Sequence, residues 1–147
     1  MKMRIAVLIL LTFASIAKAD TLTGECWSKF RVHTLQPSGQ ENLMVLDLAI
    51  QFIKSDEMIF FMEGGVVVAD KKYNIARYLT FSYSKLGDDY YSLQRLSVQR
   101  LHSDNYDADD LAANFGLHDS APKFHITTLS NNYIFANEFA PLLICTR

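Results

Sequence analysis

Lysine and arginine never stand more than two in a row in this chain, and Asp and Glu outnumber them 16 to 14. Phosphate backbones are gripped by clustered cations, so nucleic-acid binding has no electrostatic footing here. No Asn-X-Ser/Thr sequon occurs, which favours a bacterial periplasmic protein over a glycosylated secreted one. Cysteines are limited to Cys26 and Cys145. Two thiols without a neighbouring histidine pair do not make a tetrahedral zinc shell. The histidines His33, His102, His118 and His125 share no ligand spacing. Gly-X-Ser-X-Gly, a phosphate loop and a Cys-His pairing at a motif are all missing, so no enzyme class is signalled. Neither an internal repeat nor a low-complexity linker divides the chain.

The start of the chain carries a positive signal. Lys2 and Arg4 precede an apolar stretch from Ile5 to Ala17, and Ala17-Lys18-Ala19 follows with small residues where a signal peptidase reads. Charged, apolar and cleavable parts in that order predict a secretory signal over residues 1–19. The apolar stretch is short of the roughly 20 residues that span a bilayer; an uncleaved inner-membrane anchor is the alternative. No other apolar run of spanning length occurs. Residues 1–19 hold three of the Lys and Arg and none of the Asp and Glu, so residues 20–147 carry a net charge of −5. That length suits one domain. In an exported domain, Cys26 and Cys145 most simply form one disulfide, closing a loop over almost the whole domain. Glu25 before Cys26 excludes the small-residue setting of a lipidation site. Oxidation also removes Cys26 as a nucleophile.

Apolar residues then recur with period two, the signature of half-buried strands. Phe30, Val32 and Thr34 alternate with Lys29, Arg31 and His33. Met44, Leu46, Leu48, Ile50 and Phe52 form one face opposite Asp47 and Gln51. Met58–Asp70 is a third extended stretch, with Gly64-Gly65 inside it predicting a bulge or sharp bend. Tyr73, Ile75, Arg77, Leu79, Phe81 and Tyr83 alternate with Ala76, Thr80 and Ser82. Strands are also predicted at Tyr90–Leu101, Phe124–Leu129, Tyr133–Ala136 and Leu142–Thr146. Turn residues at 37–40, 55–56, 86–89 and 130–132 separate them. Residues 107–115 read instead as a short helix, with acidic residues in its first turn and Gly116 at its C-cap. The expected fold class is mainly β (α+β): an antiparallel meander of seven or eight strands forming a curved sheet or lipocalin-like barrel. The disulfide would join its first and last strands.

Two clusters invite chemistry. Asp104, Asp107, Asp109 and Asp110 resemble a calcium loop, but Tyr106 or Leu111 falls where an oxygen ligand is needed in either register. Tyr73, Tyr78, Phe81, Tyr83, Tyr90 and Tyr91 lie on neighbouring strands. They read as a face for a small apolar ligand or a partner, or as ordinary core filling.

Glu25-Cys26, the stretch from Tyr73 to Tyr83, Tyr91-Ser92-Leu93, the acidic segment near 107–111, Tyr133-Ile134-Phe135 and Pro141-Leu142-Leu143-Ile144-Cys145 fall in the order and spacing of a known family. On these the chain resembles the FidL-like family of small enterobacterial exported proteins. The family is similar in size and placement to the periplasmic companions of ToxR-type regulators, which are membrane-anchored winged-helix transcription factors. Some such pairs form a lipocalin-like barrel that binds bile salts. The resemblance therefore implies a non-enzymatic companion of a membrane-bound regulator's periplasmic domain, with no cofactor. Cleavage after Ala19 departs from members that keep a membrane anchor. A stand-alone carrier of a bile salt or lipid is one alternative. A secreted inhibitor or immunity protein acting through the loop at 102–123 is another.

Overall fold

The computed structural model describes residues 21–107 and 121–147. Within them the chain forms a closed, wholly antiparallel barrel whose strands follow one another in sequence order. The strands are β1 (Gly24–Leu35), β2 (Glu41–Lys54), β3 (Glu57–Val68), β4 (Lys71–Lys85), β5 (Tyr90–Arg100), β6 (Lys123–Leu129), β7 (Asn132–Ala136) and β8 (Pro141–Thr146). The eight-stranded antiparallel meander expected from the period-two pattern is thus present, and it closes. Among the described residues there is no helix. The helix expected over 107–115 falls, but for Asp107, outside them, as does the export signal expected over 1–19.

Alternation sends the apolar face of each strand inward. Met44, Leu46, Leu48, Ile50 and Phe52 of β2 are all buried, as are Ile75, Phe81 and Tyr83 of β4. They fill the barrel in two layers. One gathers Ile50, Phe52, Met58, Phe81, Leu93, Ile126 and Phe135 around the two cysteines. The other gathers Met44, Leu46, Leu48, Met62, Val66 and Ile75. Phe60, Leu79 and Leu143 pack against both layers.

Three large apolar residues stand outside this alternation, for one reason. Register shifts fall at Phe52/Lys54 of β2, opposite Arg95–Ser97 in β5, and opposite Pro141–Leu143 in β8. The extra residues are Ile53, Leu96 and Leu142, and all three are exposed. A bulge leaves its extra residue unpaired and turns it out of phase. The bulge expected at Gly64-Gly65 is absent, because β3 keeps register with both neighbours there. The glycine is needed for another reason. A Cβ on Gly64 would lie 2.1 Å from the Val45 carbonyl oxygen, and its φ is +157°. The backbones of β2 and β3 approach too closely there for a side chain.

The barrel is uneven. β1 to β4 pair along their whole lengths, and β4 pairs with β5 over Arg77–Lys85. The seam is short. β5 meets β6 at three positions, Tyr90 to Ser92. β1 meets β8 at one, Trp27 opposite Thr146. Next to that single pair Cys26 and Cys145 form the disulfide, with Cα atoms 5.2 Å apart and sulfurs 2.02 Å apart. Both cysteines are buried. Tyr133 and Arg147 reinforce the same point. The Thr23 N–H donates to the Tyr133 hydroxyl (3.0 Å), which donates to the Thr23 carbonyl (3.1 Å). Arg147 donates to that same carbonyl (2.7 Å) and lies over the Tyr133 ring at 4.2 Å.

The cross-link spans 119 residues of sequence. In the chain-entropy model such a loop contributes about 5 kcal/mol. Replacing both cysteines, Cys26→Ser with Cys145→Ser, is therefore expected to lower the unfolding free energy by about that amount in urea titrations. A loss under about 1 kcal/mol would show that strand pairing alone holds the seam.

Candidate functional site

Beyond the short seam, β1 and β5 each lose their second neighbour. Among the described residues no strand pairs with β1 after Trp27 on the β8 side, or with β5 after Ser92 on the β6 side. Every residue from Gln94 to Arg100 is exposed. The core layer of Met44 and Ile75, the upper of the two, is covered at this end from within the chain instead, by residues 101–107. The Leu101 N–H donates to the Ala76 carbonyl (2.8 Å), and the Asn105 N–H to the Asn74 carbonyl (3.1 Å). Tyr106 is buried and its ring meets Tyr73 at 5.0 Å.

One ion pair fixes this cover. Arg77 occupies an inward position of β4 and is 1% exposed. Its Nε and Nη2 donate to the two carboxylate oxygens of Asp104, each at 2.7 Å. Its Nη2 also donates to the Tyr106 carbonyl. The Asp104 carboxylate takes three further hydrogen bonds, from the Ala76 N–H (3.0 Å), the Tyr106 N–H (3.3 Å) and Arg100 Nε (3.3 Å). Burial by itself raises the Asp104 pKa. The Arg77 hydrogen bonds and charge, with the Ala76 and Tyr106 N–H groups, outweigh burial and hold the carboxyl below its usual range. Asp104 is therefore a structural anion, and its geometry is that of a two-pronged clamp on a guanidinium. Arg77 could have been singled out from the sequence, because it sits in phase with Ile75, Leu79 and Phe81. A cation on an apolar face needs a buried partner. The partner itself, 27 residues away, left no pattern.

The six aromatics expected to share a face do not share one. Phe81, Tyr83 and Tyr91 are buried in the lower core layer. Tyr73 is half-buried at the upper layer. Tyr78 points outward and packs against Phe61 in a tilted pair with centroids 4.7 Å apart. Tyr90 stacks on His125 at 4.7 Å, and His125 Nδ1 lies 3.1 Å from Asp89. Alternation decides this split, since Tyr78 has the opposite parity to Tyr73, Phe81 and Tyr83. Burial pushes the Tyr83 phenol up, with Tyr91 and Asp56 adding to the shift, so it stays protonated and donates to the Lys54 carbonyl at 3.1 Å. His33 is exposed and 3.3 Å from Glu41. Among the described residues no three His, Cys, Asp or Glu side chains are grouped to hold a metal ion.

Two grooves mark the outer surface. One of about 250 Å3 runs over Leu43, Val45, Val67 and Tyr73. One of about 500 Å3 runs over Asp56, Tyr83, Gln94 and Arg95. Both are open to solvent. The barrel interior, where a carrier would hold its ligand, is filled by the two side-chain layers.

The fold thus defines the class: a disulfide-closed, eight-stranded antiparallel barrel with a packed interior. Compared with known proteins, the chain matches no protein-family model and no curated protein.

Asp104→Ala leaves the Arg77 guanidinium buried and unpaired, a change that typically costs 3–5 kcal/mol. The folded pKa of Asp104 lies below its unfolded value near 3.8. Its contribution is therefore complete above that value and is lost as pH falls through the folded pKa. Urea titrations from pH 7 to pH 2 are expected to show a shallower acid-side loss for Asp104→Asn than for the unaltered chain. Identical slopes would mean that the carboxylate does not carry this linkage.

Proposed function

We propose that this protein is a non-enzymatic accessory protein of an extracytoplasmic compartment, the periplasm, that works by pairing with another protein. The partner is the periplasmic domain of a membrane-anchored, ToxR-like transcription regulator. The observation that carries the pairing is the incomplete sheet. On the side of β5 that faces away from β4, the backbone from Gln94 to Arg100 meets no strand among the described residues, and these residues are exposed. Such an edge is completed most readily by extended backbone from another chain. The Leu96 bulge and the charge of Arg95 guard it against indiscriminate pairing, so the complement has to be matched. The disulfide supports an oxidising compartment. The family resemblance supplies the kind of partner.

An interior carrier role draws no support from the packed core. An inhibitor role would use the loop at 102–123, most of which lies outside the described residues. Its described start is pinned by Arg77 and Asp104.

Chemical crosslinking in intact cells, followed by purification of this chain, tests the proposal. A membrane-anchored protein with a cytoplasmic DNA-binding domain is the expected product. Recovery of a cell-wall enzyme instead would favour the inhibitor reading, and recovery of no partner would count against pairing altogether.

A further inference from the structure

The strand registers bring a second feature together on the outside of the barrel. Trp27 of β1 pairs with Ala49 of β2, Ala49 with Phe61 of β3, and Phe61 with Tyr78 of β4. On the other side of Trp27, Ile144 of β8 is a diagonal neighbour through the Trp27–Thr146 pair, and Ile144 pairs with Ile134 of β7. Each of these residues has the outward parity of its strand. Trp27 is 53% exposed, Ile144 56% and Tyr78 38%. One apolar row therefore crosses six consecutive strands, and it carries the sole tryptophan of the chain. None of its members is a bulge residue, so phase slippage does not account for the exposure of Trp27, Ile144 and Tyr78.

We infer that this belt is a docking surface for a protein partner that presents an apolar strip bordered by lysine or arginine. The inference rests on the pairing function proposed above and names the surface that serves it. Three observations support it. The first is charge. On the rows flanking the belt, Lys29 and Asp47 neutralise each other at 2.7 Å. That leaves Glu25 on one side and Glu63 on the other with no ion pair among the described residues. The nearest unpaired cation on β1, Arg31, lies one row further out, opposite Val45. Borders of this sign favour a basic rim on the partner. They disfavour a second copy of a domain whose net charge is −5.

The second observation is size. Five steps between strands at about 4.8 Å give a belt about 24 Å long. A standard interface buries about 800 Å2 on each partner, a patch roughly 30 Å across. Measured along the wall the belt is no longer than one such patch, but it passes five of the eight junctions of the closed barrel, so the partner's apolar strip has to wrap around it. The third is rigidity. Trp27 follows Cys26 and Ile144 precedes Cys145, so the disulfide holds both strands at the belt. Tyr78 already packs against Phe61. Aromatic anchors fixed before binding lose little entropy on docking, the usual setting of interface hot spots. The belt also ends beside Gln99, which pairs with Tyr78 on the open strand β5. One partner can therefore cover the belt and complete the edge.

The test is site-specific photo-crosslinking of the full chain in the cells it comes from. A photoreactive amino acid is placed at position 27, 78 or 144. Positions 35 and 86, where exposed leucines occupy opposite ends of the barrel, serve as comparison sites. The expected result is one adduct, with the same membrane-anchored protein, from the three belt positions and from neither comparison site. Adding Trp27→Ser to the position-78 variant is expected to cut that adduct tenfold or more, with an unchanged far-UV circular dichroism spectrum. Adducts from position 35 or 86 alone would overturn the belt and leave the pairing function standing. Adducts with a second copy of the chain or with lipid would overturn the stated partner. No adduct from any position would overturn both proposals.

Discussion

The barrel depends on a seam that hydrogen bonds barely hold. Seven of the eight strand junctions pair over three or more positions, but β1 and β8 share a single pair. Covalent closure by Cys26 and Cys145 takes the place of the missing ladder. A meander always ends with two unpaired edges, and each is a template for unwanted association. Here one bond joins the first strand to the last at a place where only one register pair exists. Tyr133 and Arg147 gather Thr23 into the same knot. The compartment and the fold are therefore linked, because the closure exists only where thiols oxidise.

From that seam the molecule divides. At the seam end, all eight strands contribute and the interior is filled around the disulfide. At the other end, among the described residues, β1 to β5 alone continue, and the chain from Leu101 to Tyr106 lies where a wall of paired strands would stand. That replacement cannot rely on strand pairing. It relies on Arg77, a buried cation whose charge is met by Asp104 and whose remaining donor reaches the Tyr106 carbonyl. A buried ion pair adds little net stability, but its geometry admits few alternatives. In this barrel it selects which segment caps the open end. The disulfide and the ion pair thus solve the same problem, an incomplete wall, at opposite ends.

Much of this was legible in the residues. Period-two alternation placed seven of the eight strands within about three residues of their observed limits and began the first five residues late. The turn clusters at 37–40, 55–56, 86–89 and 130–132 fell between strands, whereas the turn at Ala69-Asp70 lay inside the third predicted stretch. The cysteine pair was legible because compartment and count left few alternatives. What escaped had physical causes. The bulges at Ile53, Leu96 and Leu142 arise from register between strands, which no single strand records. Gly64 looked like a bulge because glycine in a strand serves both bulges and close approach, and only the distance to Val45 distinguishes them. The aromatic cluster dissolved once parity was applied strictly, with Tyr78 outward and Phe81 and Tyr83 in the core. The belt from Ile134 to Tyr78 was invisible for the same reason as the bulges. Its members are far apart in sequence, and they become neighbours only through the cumulative register of six strands.

Amide hydrogen exchange on the oxidised and the reduced protein tests most directly whether the disulfide closes the barrel. Covalent closure predicts that reduction speeds exchange in β1, β7 and β8, around Trp27 and Cys145, while β2 to β4 remain protected. Equal exchange in the two states, or a uniform increase across all strands, would contradict it.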